Sequence, residues 1–128
     1  MSNQYRTPLR TAIGLGSAKH GVHHFMVQRL TALALAVLGV WFIWLVLKLL
    51  HFDYAAAHTL VAQPLNVVLM LAFVISVFWH AQLGLQVVVE DYVHARGWQL
   101  TLQIAIKFLC FLGAIASVLA VIRIALQG

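Results

Sequence analysis

The sequence predicts an all-α membrane protein, with three transmembrane helices preceded by a polar, basic N-terminal arm. Composition is the first observation. Of 128 residues, 63% are hydrophobic and 9% are charged, and the mean hydropathy is +0.96. A soluble domain carries about 25% charged residues. Three apolar runs, each long enough to cross a hydrocarbon core of about 30 Å, are the second. The third is how the charges are sorted: Arg6, Arg10, Lys19 and Arg29 precede the first run, while the acids Asp53, Glu90 and Asp91 all follow it. A net charge of +5 distributed in this way is a topology signal, and it argues against nucleic-acid binding.

The arm comprises residues 1–20, with Pro8, Gly14 and Gly16 among polar and basic residues. It has no early apolar core and no small-residue cleavage site, so no signal peptide is expected. The first helix is expected over residues 21–50. No charged residue interrupts 30–47, Lys48 can snorkel to the far surface, and Trp41 and Trp44 suit an interfacial belt. Residues 51–63 read as a short connection between antiparallel spans, holding Asp53 and His58. Pro64 occupies a favourable first position for the second helix, expected over 64–89. Residues 90–98 read as a polar loop with Arg96 and Gly97, and the third helix is expected over 99–126, with Lys107 and Arg123 near its ends. The whole chain, 1–128, forms one membrane domain.

Orientation follows from the basic residues. The arm and the second loop carry them and the first loop has none beyond Lys48, so the N-terminus is expected on the cytoplasmic side and the C-terminus opposite. Three helices make a thin bundle, for which partner helices are expected. The single cysteine, Cys110, lies in an apolar run. It excludes an intrachain disulfide and a cysteine-based zinc or iron–sulfur site.

His80 lies deep in the second apolar run. Two readings stand: an axial ligand to haem iron, for which a neutral imidazole is suited even in a low-dielectric core, and a histidine hydrogen-bonded to a neighbouring helix. A six-coordinate haem needs its other ligand from another subunit, because no second histidine of this chain lies at that depth. Gly84 falls one helical turn beyond His80, where a flat cofactor can approach the backbone. Asp91 falls about three turns beyond it on the same face, roughly 16 Å along the axis.

At the start of the first helix, His23 and Arg29 diverge by about 240° on an ideal helix, which leaves His23 a place on the entering arm. Arg29 reads either as a bidentate partner of a carboxylate such as a haem propionate or as a positive-inside anchor. Glu90, Asp91 and Tyr92 read either as a solvated helix end or as quinone chemistry, the phenol donating to a carbonyl and a carboxylate moving protons. His20, His24, His51, His58 and His94 read as loop or interface histidines.

Two segments carry a family resemblance. Gly-Val-His-x-Phe-x-x-x-Arg-x-Thr-Ala at 21–32 and His-Ala-x-x-Gly-x-x-Gln-Val-x-x-x-Asp-Tyr-Val at 80–93 resemble the hydrophobic membrane anchor subunit of succinate dehydrogenase, which is respiratory complex II. The likeness extends over essentially the whole chain. It implies a non-catalytic subunit that packs against a sister cytochrome b subunit and anchors a flavoprotein and an iron–sulfur subunit, which oxidise succinate. Electrons then pass to ubiquinone. By this resemblance His80 is the haem b ligand, His23 and Arg29 lie near the haem propionates, and Tyr92 with Asp91 belongs to the ubiquinone site. One departure is His24, where bacterial members often carry Asp. The implied location is a bacterial inner membrane, with the mitochondrial inner membrane as the alternative. Two rival functions are the anchor of a fumarate reductase and, from a different class, an ion-conducting transporter subunit. The second rival calls for intramembrane acids that this sequence lacks.

Overall fold

The computed structural model describes residues 19–127, so all but the last two residues of the expected arm lie outside the described residues. Four helices follow in order: α1 (Lys19–Leu49), α2 (Tyr54–Val61), α3 (Pro64–Tyr92) and α4 (Arg96–Gln127). There is no strand among the described residues. α1, α3 and α4 are each long and apolar enough to cross a membrane, and the chain is a multi-pass membrane protein.

α3 is the middle of the bundle. It packs against both α1 and α4, while α1 and α4 scarcely touch each other. Phe42 of α1 stacks on Phe73 of α3, with ring centroids 4.5 Å apart. Since Gln28 of α1 lies beside Gly84 of α3, sequence rises along one helix as it falls along the other, and the pair is antiparallel. The only hydrophobic residues buried in the described chain are Leu45, Leu83, Val89 and Val121. In each long helix just 6% of the most apolar window is buried, so nearly all the apolar surface is left for lipid or partner helices.

Two connections differ from the sequence reading. The expected plain connection at 51–63 contains α2. Its N-cap is Asp53, whose side chain accepts a hydrogen bond from the Ala56 amide at 2.9 Å, and three alanines with little side-chain entropy to lose propagate the turn. Asn66, only 7% exposed, donates from Nδ2 to the Leu60 carbonyl at 2.7 Å and so ties α2 to the start of α3.

The expected loop at 90–98 is reduced to residues 93–95. α3 continues through Tyr92 because its polar end residues prolong the helix: Gln86 donates to Glu90 Oε1 at 2.9 Å, one turn on. Gln103 of α4 donates to the same carboxylate oxygen at 3.2 Å. Arg96, Gly97 and Trp98 form the first turn of α4 rather than a loop.

α3 and α4 come close together at Gly113. A Cβ there would stand 2.5 Å from Phe78 Cε1 and 2.9 Å from its Cζ. Small residues let membrane helices come together in this way. A hollow of about 150 Å³ beside Phe78 gives the ring edge somewhere to move, so Gly113→Ala is expected to be mild. Gly113→Ile overfills the hollow and is expected to destabilise the α3–α4 pair by about 1–3 kcal/mol. Thermal unfolding in mild detergent measures this, and an Ile variant as stable as the parent contradicts the packing.

Candidate functional site

α1 carries three polar residues, His24, Gln28 and Thr31, at the i, i+4, i+7 spacing that places them on one face. That face meets α3. Thr31 Oγ1 lies 3.1 Å from His80 Nδ1, and a Cβ on Gly84 would have Gln28 Nε2 as its neighbour at 3.8 Å. Gly84 therefore faces α1, in place of the approach by a flat cofactor that its position suggested. The Thr31 hydroxyl also lies 2.9 Å from the Val27 carbonyl oxygen and 3.0 Å from that of Gln28.

His80 is partly buried and stands twelve residues from the end of α3, on the order of 18 Å along the axis and well inside a bilayer. Its Nδ1 is engaged within the bundle; its Nε2 makes no hydrogen bond among the described residues. Higher on the same face, His24 Nε2 and Gln28 Oε1 are buried with no hydrogen-bond partner among the described residues. Both are groups that a buried chain ordinarily satisfies.

The other expected site residues are not drawn to His80. His23 lies on α1, within the expected first helix and not on the arm that its spacing from Arg29 also allowed; it is exposed. Arg29 is exposed too, its guanidinium carbon 4.8 Å from the centroid of the Phe25 ring one turn back, a cation–π contact. With both residues on one continuous helix, the divergence expected from their spacing holds. Asp91 is exposed and Tyr92 is 79% exposed at the tip of α3.

Glu90 turns the other way and lines, with Arg96, Gln99, Leu100 and Gln103, a groove of about 370 Å³ between the ends of α3 and α4. Among the described residues no three of His, Cys, Asp and Glu converge on a point. Among the described residues His80 can therefore supply one ligand to a metal centre, with no second one beside it.

The residues that sequence reasoning missed are Thr31, Gln28 and His24. The signal was present as three polar side chains at the spacing of a single helix face.

Comparison with known proteins places the chain in a family. Residues 3–120 match the family described as succinate dehydrogenase/fumarate reductase transmembrane subunit. The succinate dehydrogenase hydrophobic membrane anchor subunit of Rickettsia bellii (strain RML369-C) is 35% identical over 121 residues, covering 94% of this chain and 97% of the relative. The protein of the same description from Rickettsia conorii (strain ATCC VR-613 / Malish 7) is 34% identical over 94% of this chain and 96% of its own. That of Paracoccus denitrificans is 29% identical over 70% of this chain and 69% of its own. No solved structure gives a significant match. The chain belongs to the succinate dehydrogenase/fumarate reductase transmembrane subunit family, and within it is similar to the hydrophobic membrane anchor subunits of succinate dehydrogenase.

Proposed function

We propose that this chain is the membrane anchor of a succinate dehydrogenase in a bacterial inner membrane, that His80 is one axial ligand of haem b, and that Asp91 and Tyr92 form part of the ubiquinone site. The observation that carries the reading is the state of His80: an imidazole at bilayer depth, steadied through one nitrogen by the neighbouring span, with the other nitrogen making no hydrogen bond to the described residues. Relatives described as succinate dehydrogenase anchors support the choice of complex over a fumarate reductase.

The donor chemistry fits a haem shared between two chains. His80 offers one strong nitrogen ligand, and a histidine of the sister cytochrome b subunit would supply another. When bound, haem b supplies a one-electron redox centre inside the membrane. Arg29, stacked on Phe25, keeps guanidinium edges available for a carboxylate. His23 and Arg29, which diverge around α1, would both lie near the haem propionates.

At the rim, the tip of α3 presents a phenol and an adjacent carboxylate to any headgroup docked there. Tyr92 donates a hydrogen bond to a quinone carbonyl, and Asp91 relays protons from water as the quinone takes up two electrons and two protons to become the quinol. Succinate oxidation belongs to the flavoprotein and iron–sulfur subunits. The outward apolar faces of α1, α3 and α4 suit lipid and the sister subunit.

Purification of the tagged chain in mild detergent tests the whole reading. Flavin, iron–sulfur and haem signals are expected in one particle, and a chain that purifies without flavin and iron–sulfur centres contradicts it. For orientation, the N-terminus and the turn at 93–95 are placed in the cytoplasm, on the basic asymmetry around α1 and the odd number of spans. A reporter fused after Gln127 is expected to be active only outside the inner membrane. Cytoplasmic activity of that fusion reverses the topology.

A further inference from the structure

We propose that Thr31 is a positioning residue for His80: its hydroxyl accepts a hydrogen bond from Nδ1–H, which fixes the tautomer whose Nε2 lone pair binds iron and raises the electron-donating strength of the ring. The argument is a count of hydrogens. A threonine hydroxyl has one hydrogen and two lone pairs. Thr31 Oγ1 lies 2.9 Å from the Val27 carbonyl oxygen, 3.0 Å from that of Gln28 and 3.1 Å from His80 Nδ1. The two carbonyl oxygens can only accept.

If the hydroxyl hydrogen pointed at His80, the threonine oxygen would face both carbonyl oxygens with no hydrogen between them, a repulsion that the membrane interior does little to screen. With the hydrogen shared between Val27 and Gln28, as helical threonines commonly arrange it, a lone pair is left for His80. His80 Nδ1 must then carry the hydrogen. A neutral imidazole protonated at Nδ1 is unprotonated at Nε2, and ring geometry directs that lone pair away from α1.

A histidine that donates from its second nitrogen to a fixed acceptor is a more basic ligand with a set ring orientation. Such a ligand favours the oxidised, more positive iron. This inference rests on His80 being the haem ligand, and the test separates the two.

In the assembled complex, Thr31→Val keeps the branched shape of the side chain and removes the acceptor. Bound low-spin haem is expected, with its reduction equilibrium shifted about two- to tenfold toward the reduced form. A tenfold shift corresponds to about 59 mV in midpoint potential for one electron. Thr31→Ser retains the hydroxyl and is expected to restore the parental potential, which a role in packing alone would not produce. Thr31→Ala is a second deletion of the acceptor, expected to shift the potential in the same direction. Loss of haem in Val and Ala variants with retention in Ser also supports the proposal.

Low-spin haem with an unchanged potential in either deletion variant overturns it, as does a Ser variant that behaves like Val. His80→Met, titrated alongside, reports on the ligand itself. A spectrum and potential unaffected by His80→Met remove the haem assignment and this inference with it. A shift in His80→Met but none in Thr31→Val leaves the ligand standing and rejects Thr31.

Discussion

His80→Ala is expected to abolish the low-spin haem spectrum of the complex or to alter it severely, the largest spectroscopic effect of any single substitution in this chain. The substitution deletes an axial bond, and the described residues hold no replacement. The nearest histidine on the facing side of α1 is His24, seven residues from Thr31 and on the order of 10 Å away along the helix. Gln28 and Thr31, which lie closer, offer only amide and hydroxyl oxygens to iron. The protein itself is expected to assemble, because His80 is only partly buried and the α1–α3 contact retains the Phe42–Phe73 stack below it. Reduced-minus-oxidised spectra and haem content per flavin check this. Unchanged content together with an unchanged spectrum and midpoint potential removes His80 from the iron.

Tyr92→Phe is expected to slow electron transfer to ubiquinone roughly five- to hundredfold while sparing succinate oxidation assayed with a soluble artificial acceptor. That range is the kinetic equivalent of about 1–3 kcal/mol, the cost of leaving a buried acceptor without its donor. Tyr92 is 79% exposed in the chain alone, so the loss of its hydroxyl is not expected to disturb the packing of this chain. Asp91→Asn is expected to impair the same assay and spare the same control, through lost proton delivery. A parallel fall in both activities would place the defect in assembly, and the quinone site would then have to be sought away from this end of α3.

The three spans were legible because the hydrocarbon core imposes one requirement, a long and predominantly apolar helix, that a linear sequence displays directly. Connections obey a weaker rule. Residues 90–92 looked like loop because they are polar, yet a helix that leaves the membrane meets water, which tolerates polar side chains, and it stops only where its backbone hydrogen bonds stop. Here that point is Val93, whose amide still donates to the Val89 carbonyl at 3.0 Å. α2 was also encoded, in Asp53 followed by helix-favouring alanines, but a segment of eight residues has no apolar period long enough to read.

In the site, His80 stood out as the lone strong ligand in a span. The part played by Thr31 did not stand out, because it depends on which residue of α1 comes level with His80, a register set by packing across 49 positions of sequence. His23 and Arg29 were visible as chemistry, and their separation was visible as an angle. The unbroken run of α1 from Lys19 keeps both on one helix, within the span expected from the sequence.

The arrangement of α1 and α4 on opposite sides of α3 has a consequence for the order in which the chain is made. α1 leaves the ribosome first and is already in the bilayer when α3 follows. His80 therefore enters lipid with its hydrogen-bond acceptor in place, and the cost of carrying a bare imidazole into hydrocarbon is avoided during insertion as well as afterwards. α4 arrives last and packs on the other side, through Gly113 and the Gln103–Glu90 contact. A nascent chain halted at the turn at 93–95 already contains both halves of the Thr31–His80 pair, so that contact does not depend on α4.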